Sequence, residues 1–233
     1  MAILRAESVT AGYDGPPILD KVSIEIPEGE TTVVLGPNGA GKSTLAKAMI
    51  GLLSVSSGVV YFRDRAVTGL GAHRLVRRGL AYLPQLMNIF DQMSVIENLE
   101  MGGFTMGTKI RERLDRVFDL FPDLAKDRTK KGGSLSGGQQ RMLALARMLM
   151  TDPVAAILDE PTAGLSPLYA DRVWVQIDRI RDLGVGLMVV EQNASMAMDH
   201  ADNVYLLAQG RNVSSGKAAE LREQPDVARV LVG

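Results

Sequence analysis

Two segments far apart in the chain have the residue types that bind phosphate. The first matches the pattern G-x-x-x-x-G-K-[ST] in full and consists of Gly36, Pro37, Asn38, Gly39, Ala40, Gly41, Lys42, Ser43 and Thr44. It follows a β-branched run and precedes an apolar-periodic stretch, which is the strand–loop–helix context that this pattern requires. We expect its backbone amides to surround a β-phosphate, Lys42 to attract β- and γ-oxygens, and the Ser43 hydroxyl to bind Mg²⁺.

The second segment lies much later in the chain. It consists of Leu135, Ser136, Gly137, Gly138 and Gln139, and apolar residues recur at helical spacing after it. The pattern predicts a helix that begins near Gly137, with a serine hydroxyl and two glycine amides at its N-terminus. Such a terminus is a second anion site. The residues alone leave open whether both segments bind the same phosphate.

Two acidic residues follow the apolar run Ile157-Leu158. Asp159 is suited to hold a metal ion, usually through water, and Glu160 is then placed to polarise an attacking water. An acidic pair after a strand can equally cap a helix. The glycine-rich loop at 36–44 favours the catalytic interpretation.

Two further side chains are candidates because of their position. Gln85 follows the run Tyr82 to Pro84, where a strand pattern ends and a helical pattern begins. A neutral amide there can contact both a metal ion and the attacking water. Tyr13, between Gly12 and Asp14, could stack on an adenine ring, although it also fits an ordinary aromatic residue in a turn.

Apolar runs bounded by turn residues predict the strands that position these side chains. The strand patterns cover residues 3–4, 22–26, 31–35, 59–62, 80–83, 154–158, 186–190 and 204–207. A helix is predicted from Ser43 to Leu53, directly after the glycine-rich loop. The nearly continuous apolar runs at 154–158 and 186–190 suit strands that are covered on both faces of a parallel sheet.

From residue 93 to residue 150 the pattern is helical. We therefore predict an α/β fold: a P-loop NTPase core with a mainly parallel sheet, an N-terminal antiparallel β region and an inserted α-helical subdomain. The whole chain, 1–233, is predicted to be one domain. Residues 1–85 and 154–233 form its nucleotide-binding core, and residues 86–153 form the helical subdomain that carries the segment 135–139.

Composition excludes several classes of protein. The 26 basic and 27 acidic residues give no electrostatic basis for binding nucleic acid. The absence of cysteine excludes disulfides, zinc ribbons and thiol chemistry, and it suits a cytosolic protein. No targeting segment is apparent, and the longest uncharged stretch, 48–62, falls short of the ~20 apolar residues of a membrane span.

The motifs taken together resemble the ATP-binding cassette (ABC) ATPases. The resemblance rests on 36–44, Gln85, 135–139 and 157–160 in that order, and it covers essentially the whole chain. It implies ATP hydrolysis with Mg²⁺, bound by Ser43, Gln85 and Asp159. It also implies a head-to-tail dimer in which Ser136 to Gln139 contact the γ-phosphate of the partner's ATP, so that the two anion sites bind different nucleotides.

Three shorter segments resemble the second ATPase of branched-chain amino acid importers: 163–167, 189–194 and 227–233. This resemblance implies a peripheral subunit on the cytoplasmic face of the inner membrane, with membrane permease subunits and, indirectly, a periplasmic or surface substrate-binding protein. Urea and amide importers share much of the pattern. Residues 82–99 also resemble envelope-lipid ATPases, which leaves an export motor as an alternative. A soluble, non-transport ABC switch protein would need tandem cassettes or long coiled coils.

Two positions depart from the family pattern. Gln192 stands where most ABC ATPases have a switch histidine, and glutamine can hydrogen-bond a γ-phosphate but carries no titratable proton. We therefore expect a slower or asymmetric site beside a second, non-identical ABC ATPase, with a homodimer as the alternative. His200 is expected at the surface and not in that role. Ser166 stands where many relatives have an aspartate that crosses the dimer interface.

Overall fold

The N-terminal strand patterns form an antiparallel sheet. The computed structural model describes residues 1–86, 89–104 and 109–222. The strands of this first sheet are β1 (Ala2–Ala11), β2 (Leu19–Pro27), β4 (Val55–Phe62) and β5 (Arg65–Ala66). Their order is β2-β1-β4-β5, and every pairing is antiparallel. In β2, buried Val22, Ile24 and Ile26 alternate with exposed residues, as expected for a sheet that is covered on one face.

A second, mainly parallel sheet forms the centre of the molecule. Its strands are β3 (Thr31–Leu35), β6 (Leu80–Leu83), β7 (Ala155–Asp159), β8 (Gly186–Val190), β9 (Asn203–Ala208) and β10 (Arg211–Lys217). Their order is β10-β9-β3-β8-β7-β6, and only the β9–β10 pairing is antiparallel. Every residue of β3, β7 and β8 is buried, which explains their continuous apolar runs.

Helices connect and cover these strands. They are α1 (Lys42–Met49), α2 (Ala72–Val76), α3 (Val95–Gly103), α4 (Ile110–Leu120), α5 (Pro122–Lys126), α6 (Gly137–Leu149), α7 (Pro167–Asp182), α8 (Ala194–Asp199) and α9 (Ala218–Leu221). The elements α3 to α6 follow one another between β6 and β7, with a short 3₁₀ turn before α6. The predicted fold class is therefore confirmed. The boundaries at 86 and 153 stay a prediction, and residues 87–88, 105–108 and 223–233 lie outside the described residues.

The central sheet separates two hydrophobic cores. Val33 and Leu35 of β3 join the core that contains α3 to α7, whereas Val34 joins the core beneath the antiparallel sheet. Apolar residues of the helical region lie in the first of these cores, where Val117, Phe121 and Leu124 are buried and Leu120 packs against the core. The sheet thus links the helical region and the antiparallel region through one set of strands.

Two expectations about elements need correction. The helix expected to run to Leu53 ends at Met49, because Gly51 has a left-handed backbone (φ 74°). The Gly51 and Leu52 amides donate to the Ala48 and Lys47 carbonyls, which is the Schellman pattern that ends helices. Strand β10 was not predicted from the sequence, because its exposed polar residues have little strand propensity.

The part of the chain that the structure describes contains no helix long and apolar enough to cross a membrane.

Candidate active site

The candidate residues meet at one edge of the parallel sheet. Strands β3, β8, β7 and β6 are parallel neighbours, so their carboxyl ends lie side by side. The glycine-rich loop follows β3, Gln85 follows β6, Glu160 follows β7 and Gln192 follows β8. Ligands of open α/β sheets bind at this edge.

The loop at 36–44 has the backbone that its glycines allow. Gly36 and Gly41 have positive φ angles of 152° and 99°. A Cβ on Gly36 would lie 2.1 Å from the Leu207 carbonyl oxygen, so a larger residue cannot fit there. Residues 38 to 44 line a cavity together with Ile18 and Glu160. The loop therefore turns its backbone around a space that a carboxylate also reaches.

Lys42 lies across the loop that contains it. Its ammonium group donates to the Gly36 and Pro37 carbonyls at 2.7 and 3.1 Å, and the residue is only 5% exposed. Burial lowers the pKa of Lys42, and the opposing effect comes from the carboxylates of Glu160, Asp159 and Glu191. The amine is thus held at the cavity among the acidic groups of the site.

Asp159 and Ser43 are in direct contact. The Ser43 hydroxyl donates to Asp159 Oδ1 at 2.9 Å, and the Tyr82 hydroxyl donates to Oδ2 at 3.2 Å. Burial raises the pKa of the Asp159 carboxyl, and these two hydrogen bonds oppose that effect. Burial, together with the nearby Asp159, also raises the pKa of the Tyr82 phenol. Because every atom of this cluster that could ligate a metal ion is an oxygen, the cluster fits a hard cation such as Mg²⁺.

Glu160 is held from both sides by amides. Gln85 Nε2 donates to Oε2 and Gln192 Nε2 donates to Oε1, each at 2.6 Å. Glu160 is 6% exposed and has a left-handed backbone, with φ 49°. The two glutamines follow different strands, β6 and β8, and their amides bind one carboxylate. We call this arrangement the amide clamp.

Tyr13 lies at the edge of this region. It is 51% exposed, and its hydroxyl accepts a hydrogen bond at 3.2 Å from Lys47, which belongs to the helix after the loop. The Lys47 ammonium also lies 5.8 Å from the centre of the Tyr13 ring. An exposed ring beside the first helix remains available for stacking.

The segment 135–139 caps a different helix. The Ser136 hydroxyl accepts from the Gln139 amide, and the Gln139 side chain accepts from the Ser136 amide, so the two residues form a capping box at the start of α6. A Cβ on Gly137 would meet nothing within 4 Å, whereas one on Gly138 would lie 2.2 Å from the Tyr169 ring. Among the described residues, no hydrogen bond joins this segment to the loop at 36–44. Gly137 is therefore open to a ligand from outside.

Several residues of the site were not predicted from the sequence. Tyr82 holds Asp159, and buried Glu191 accepts from both the amide and the hydroxyl of Thr162. Burial raises the pKa of the Glu191 carboxyl. Arg141 is also buried and donates to the Gln85 carbonyl. Glu191 adjoins Gln192 in sequence, which was a usable signal, but the contacts of Tyr82 and Arg141 depend on tertiary placement.

His200 and Ser166 lie outside the amide clamp. His200 is half-buried; its Nδ1 lies 2.7 Å from Asp178, and its ring stacks on buried Trp174 at 4.8 Å. Trp174 is fully buried, so its role is one of packing. Ser166 is exposed at the N-cap of α7, and its side chain makes no capping hydrogen bond.

Comparison with known proteins identifies the family of this chain. The family model described as ABC transporter matches residues 19–163. The probable branched-chain amino acid transport ATP-binding protein LivF of Archaeoglobus fulgidus is 40% identical, with 99% of each chain covered. The corresponding BraG of Pseudomonas aeruginosa is 36% identical, covering 99% of this chain and 100% of the relative.

More distant relatives include a different kind of transporter. The lipopolysaccharide export system ATP-binding protein LptB of Escherichia coli is 32% identical, covering 100% of this chain and 98% of that protein. Among solved structures, an ATP-binding cassette of an ABC transporter superposes with a TM-score of 0.90 at 27% identity, with both chains covered completely. From the family match over more than half its length, this chain belongs to the ABC transporter family and is one of its ATP-binding proteins.

Proposed function

We propose that this chain is the ATP-hydrolysing subunit of an ABC importer that takes up branched-chain or related amino acids through separate membrane subunits. The observation that carries the proposal is the position of Glu160. Its carboxylate lines the cavity of the phosphate loop and is held by amides from two neighbouring strands. A fixed carboxylate beside bound phosphates is what polarising an attacking water requires.

The roles of the other residues follow from their contacts. Gly36 to Thr44 surround the phosphates with backbone amides, and Lys42 turns from its loop carbonyls to phosphate oxygens. Ser43 and Asp159 are the groups that would hold Mg²⁺, together with the carboxamide oxygen of Gln85. When bound, the ion neutralises charge on the β- and γ-phosphates. Tyr13 stacks on the adenine.

The segment Ser136 to Gln139 acts on a second nucleotide, in trans. No atom lies within 4 Å of the place where a Cβ of Gly137 would be, so the backbone there is accessible. Because the segment is also a helix N-terminus, it suits a phosphate group of another subunit's nucleotide. The Gln192 amide has two protons, so it can donate to the γ-phosphate while it also donates to Glu160 Oε1. Because glutamine supplies no titratable proton at this position, we propose that the native dimer pairs this chain with a non-identical ABC ATPase.

A groove beside the clamp suits the permease subunits. It has a volume of about 270 Å³ and is lined by residues that include Pro84, Phe90, Met101 and Arg147. Large apolar side chains are exposed next to it in sequence, with Leu86 82% and Phe104 77% exposed. Exposed apolar surface of this kind marks protein interaction sites. Pro84 adjoins Gln85, so a docked segment would lie directly beside the clamp. We place the subunit on the cytoplasmic face of the inner membrane.

The proposal that the transported substrate is an amino acid is based on the relatives and not on the site, because the ATPase does not contact the substrate. The two most similar relatives described above have names that specify branched-chain amino acid transport, whereas the export relative LptB is less similar. Import of urea or an amide, or export of an envelope lipid, would use the same catalytic residues. A substrate-binding protein outside the membrane would complete an importer.

The test is reconstitution. We would place the chain in liposomes with the permease subunits and partner ATPase encoded beside its gene, and measure phosphate release and uptake of labelled leucine or urea. Lys42→Ala and Glu160→Gln should each lower ATP turnover by roughly 10²- to 10⁴-fold. Lys126→Ala, at an exposed surface ion pair, is the matched control and should change nothing. Unchanged turnover in either site variant would disprove the catalytic roles, and uptake of urea but not leucine would disprove the substrate.

A further inference from the structure

Tyr82 reaches the proposed metal-binding carboxylate from the neighbouring strand. It lies on β6, where its register partner on β7 is Ile157, and Asp159 is two residues further along β7. Side chains two residues apart in a strand point to the same face and are separated by roughly 6.6 Å. The long side chain of a tyrosine covers that distance, and the Tyr82 hydroxyl donates to Asp159 Oδ2 at 3.2 Å.

The ring of Tyr82 is held in place by apolar neighbours. The residue is half-buried and packs against the core beneath the antiparallel sheet, which also contains Ile157. A tyrosine side chain has only two χ angles, so a packed ring keeps its hydroxyl in one position. The position of this donor is therefore set by the core and not by the carboxylate that it contacts.

The Asp159 carboxylate has one side-chain donor for each of its oxygens. Asp159 is only 2% exposed. The Ser43 hydroxyl donates to Oδ1 at 2.9 Å, and in the part of the chain that the structure describes, Tyr82 is the only donor to Oδ2. Each carboxylate oxygen has two lone pairs, so each keeps the capacity to bind a metal ion or a water on that ion. The two hydroxyls thus fix the plane of the carboxylate without occupying it fully.

We propose that Tyr82 is a positioning residue of the metal site, whose hydroxyl holds Asp159 in the orientation that binds Mg²⁺. The inference rests on the proposed function, because it assumes that Ser43 and Asp159 hold the ion. Groups that hydrogen-bond to metal ligands orient them, and losing one typically lowers metal affinity by roughly 10- to 100-fold. Tyr82 acts through Asp159 and makes no contact with the nucleotide.

The first test measures metal affinity without catalysis, in Tyr82→Phe, which loses the hydroxyl and keeps the packed ring. Mn²⁺ serves as a paramagnetic probe in place of Mg²⁺. Electron paramagnetic resonance measures free Mn²⁺ during a titration of the full-length chain with equimolar ADP, and a titration of ADP alone corrects for ion bound to free nucleotide. The dissociation constant of Mn²⁺ should rise roughly 10- to 100-fold.

Metal-free ADP binding separates positioning of the metal ligand from support of the whole site. Calorimetry in EDTA should give the same ADP affinity for Tyr82→Phe and wild type, because the hydroxyl contacts the metal-binding carboxylate and not the phosphate loop. This measurement also shows that the variant is folded. Unchanged Mn²⁺ affinity would overturn the proposal. A loss of ADP affinity as large as the loss of Mn²⁺ affinity would also overturn it.

Tyr205→Phe is the matched control. Tyr205 is a half-buried tyrosine of the same sheet and packs against the same core as Tyr82. Its hydroxyl accepts from the Glu25 amide at 3.2 Å, and among the described residues it makes no hydrogen bond to Asp159. The Mn²⁺ affinity of Tyr205→Phe should stay within about twofold of wild type. An equal loss in both tyrosine variants would show a general effect of removing such a hydroxyl, which contradicts a specific role of Tyr82.

A double-variant cycle with Asp159→Ala tests whether Tyr82 acts through Asp159. Asp159→Ala alone should weaken Mn²⁺ binding, and adding Tyr82→Phe should weaken it no further, because the hydroxyl then has no carboxylate to orient. If Tyr82→Phe has the same effect in both backgrounds, Tyr82 does not act through Asp159. Failure of the proposed metal site would look different, because Asp159→Ala would then leave Mn²⁺ affinity unchanged.

Discussion

At the scale of single residues, the site is organised around the two oxygens of Glu160, each of which accepts from a different glutamine. The sequence predicted Gln85 and Glu160 from their positions after strand patterns, and Gln192 from the family resemblance. It could not predict that both amides bind the same carboxylate. Hydrogen-bond partners depend on side-chain directions, which strand patterns do not specify.

Replacing Gln192 by histidine should give the enzyme a new dependence on pH. An imidazole at this position becomes cationic below its ordinary pKa of about 6.5, and the cation would pair with Glu160 and reduce its ability to accept a proton. The ratio of Gln192→His to wild-type kcat should therefore fall as the pH drops from 8 to 5.5. Gln192→Ala is the control and should give a constant ratio. A constant ratio for the histidine variant would mean that residue 192 does not contact Glu160 during turnover.

The buried Asp159 carboxylate should lower the free energy of unfolding of the nucleotide-free protein at pH 7, compared with a neutral side chain at this position. Its folded pKa is raised by burial, so the folded state binds its proton more tightly than the unfolded state does, and stability falls as the pH rises through that pKa. Asp159→Asn should then have a higher melting temperature at pH 7, by about 2–4 °C for each kcal/mol gained.

The advantage of Asp159→Asn should shrink as the pH is lowered toward the folded pKa of Asp159, where the wild-type carboxyl becomes protonated. Differential scanning calorimetry without nucleotide, at a series of pH values, measures it. A variant that is less stable than wild type at pH 7 would show that the hydrogen bonds from Ser43 and Tyr82 outweigh the cost of burying the charge.

At the scale of elements, prediction succeeded where burial produces a simple pattern. The fully buried β3, β7 and β8 were found from their apolar runs, and α6 begins at Gly137 as its capping residues indicated. It failed at β10, which pairs with β9 through its backbone while its side chains stay largely exposed. It also extended α1 by four residues, from Met49 to Leu53, because apolar residues continue beyond the glycine that ends it.

The two glycines at the start of α6 should respond differently to alanine. A Cβ at Gly138 would meet the Tyr169 ring at 2.2 Å, so Gly138→Ala should lower stability by roughly 1–3 kcal/mol. A Cβ at Gly137 meets nothing within 4 Å, so Gly137→Ala should leave the isolated chain at least as stable as wild type. Thermal unfolding of the two variants measures both effects.

Gly137→Ala also tests the proposed contact with the partner's nucleotide. If that glycine lies against a γ-phosphate in the dimer, the added methyl group should lower kcat of the assembled transporter although the chain itself is stable. A stable Gly137→Ala variant with wild-type kcat would contradict the contact in trans.

At the scale of the whole molecule, catalysis and permease binding are assigned to adjoining surfaces. Met101 lines the groove beside the clamp and is 43% exposed. A charge in this apolar surface would have to be desolvated on docking, so Met101→Glu should prevent co-purification with the permease subunits and leave ATP binding unchanged. Val213→Glu is the matched control, because Val213 is 65% exposed on β10 and does not line the groove. Retention of the permease by Met101→Glu would exclude the groove as its docking site.

The backbone of Glu160 has a consequence for how such a protein evolves. A φ of 49° is a conformation that glycine and asparagine adopt more easily than glutamate. We therefore expect mutations that replace the carboxylate with either residue to relieve local strain and, with Glu160 in its proposed role, to lower hydrolysis strongly. The chain should still fold, because the relieved backbone strain offsets part of the loss of the hydrogen bonds from Gln85 and Gln192. Such subunits would still assemble with wild-type partners, so a mutation at this position should be dominant over the normal gene.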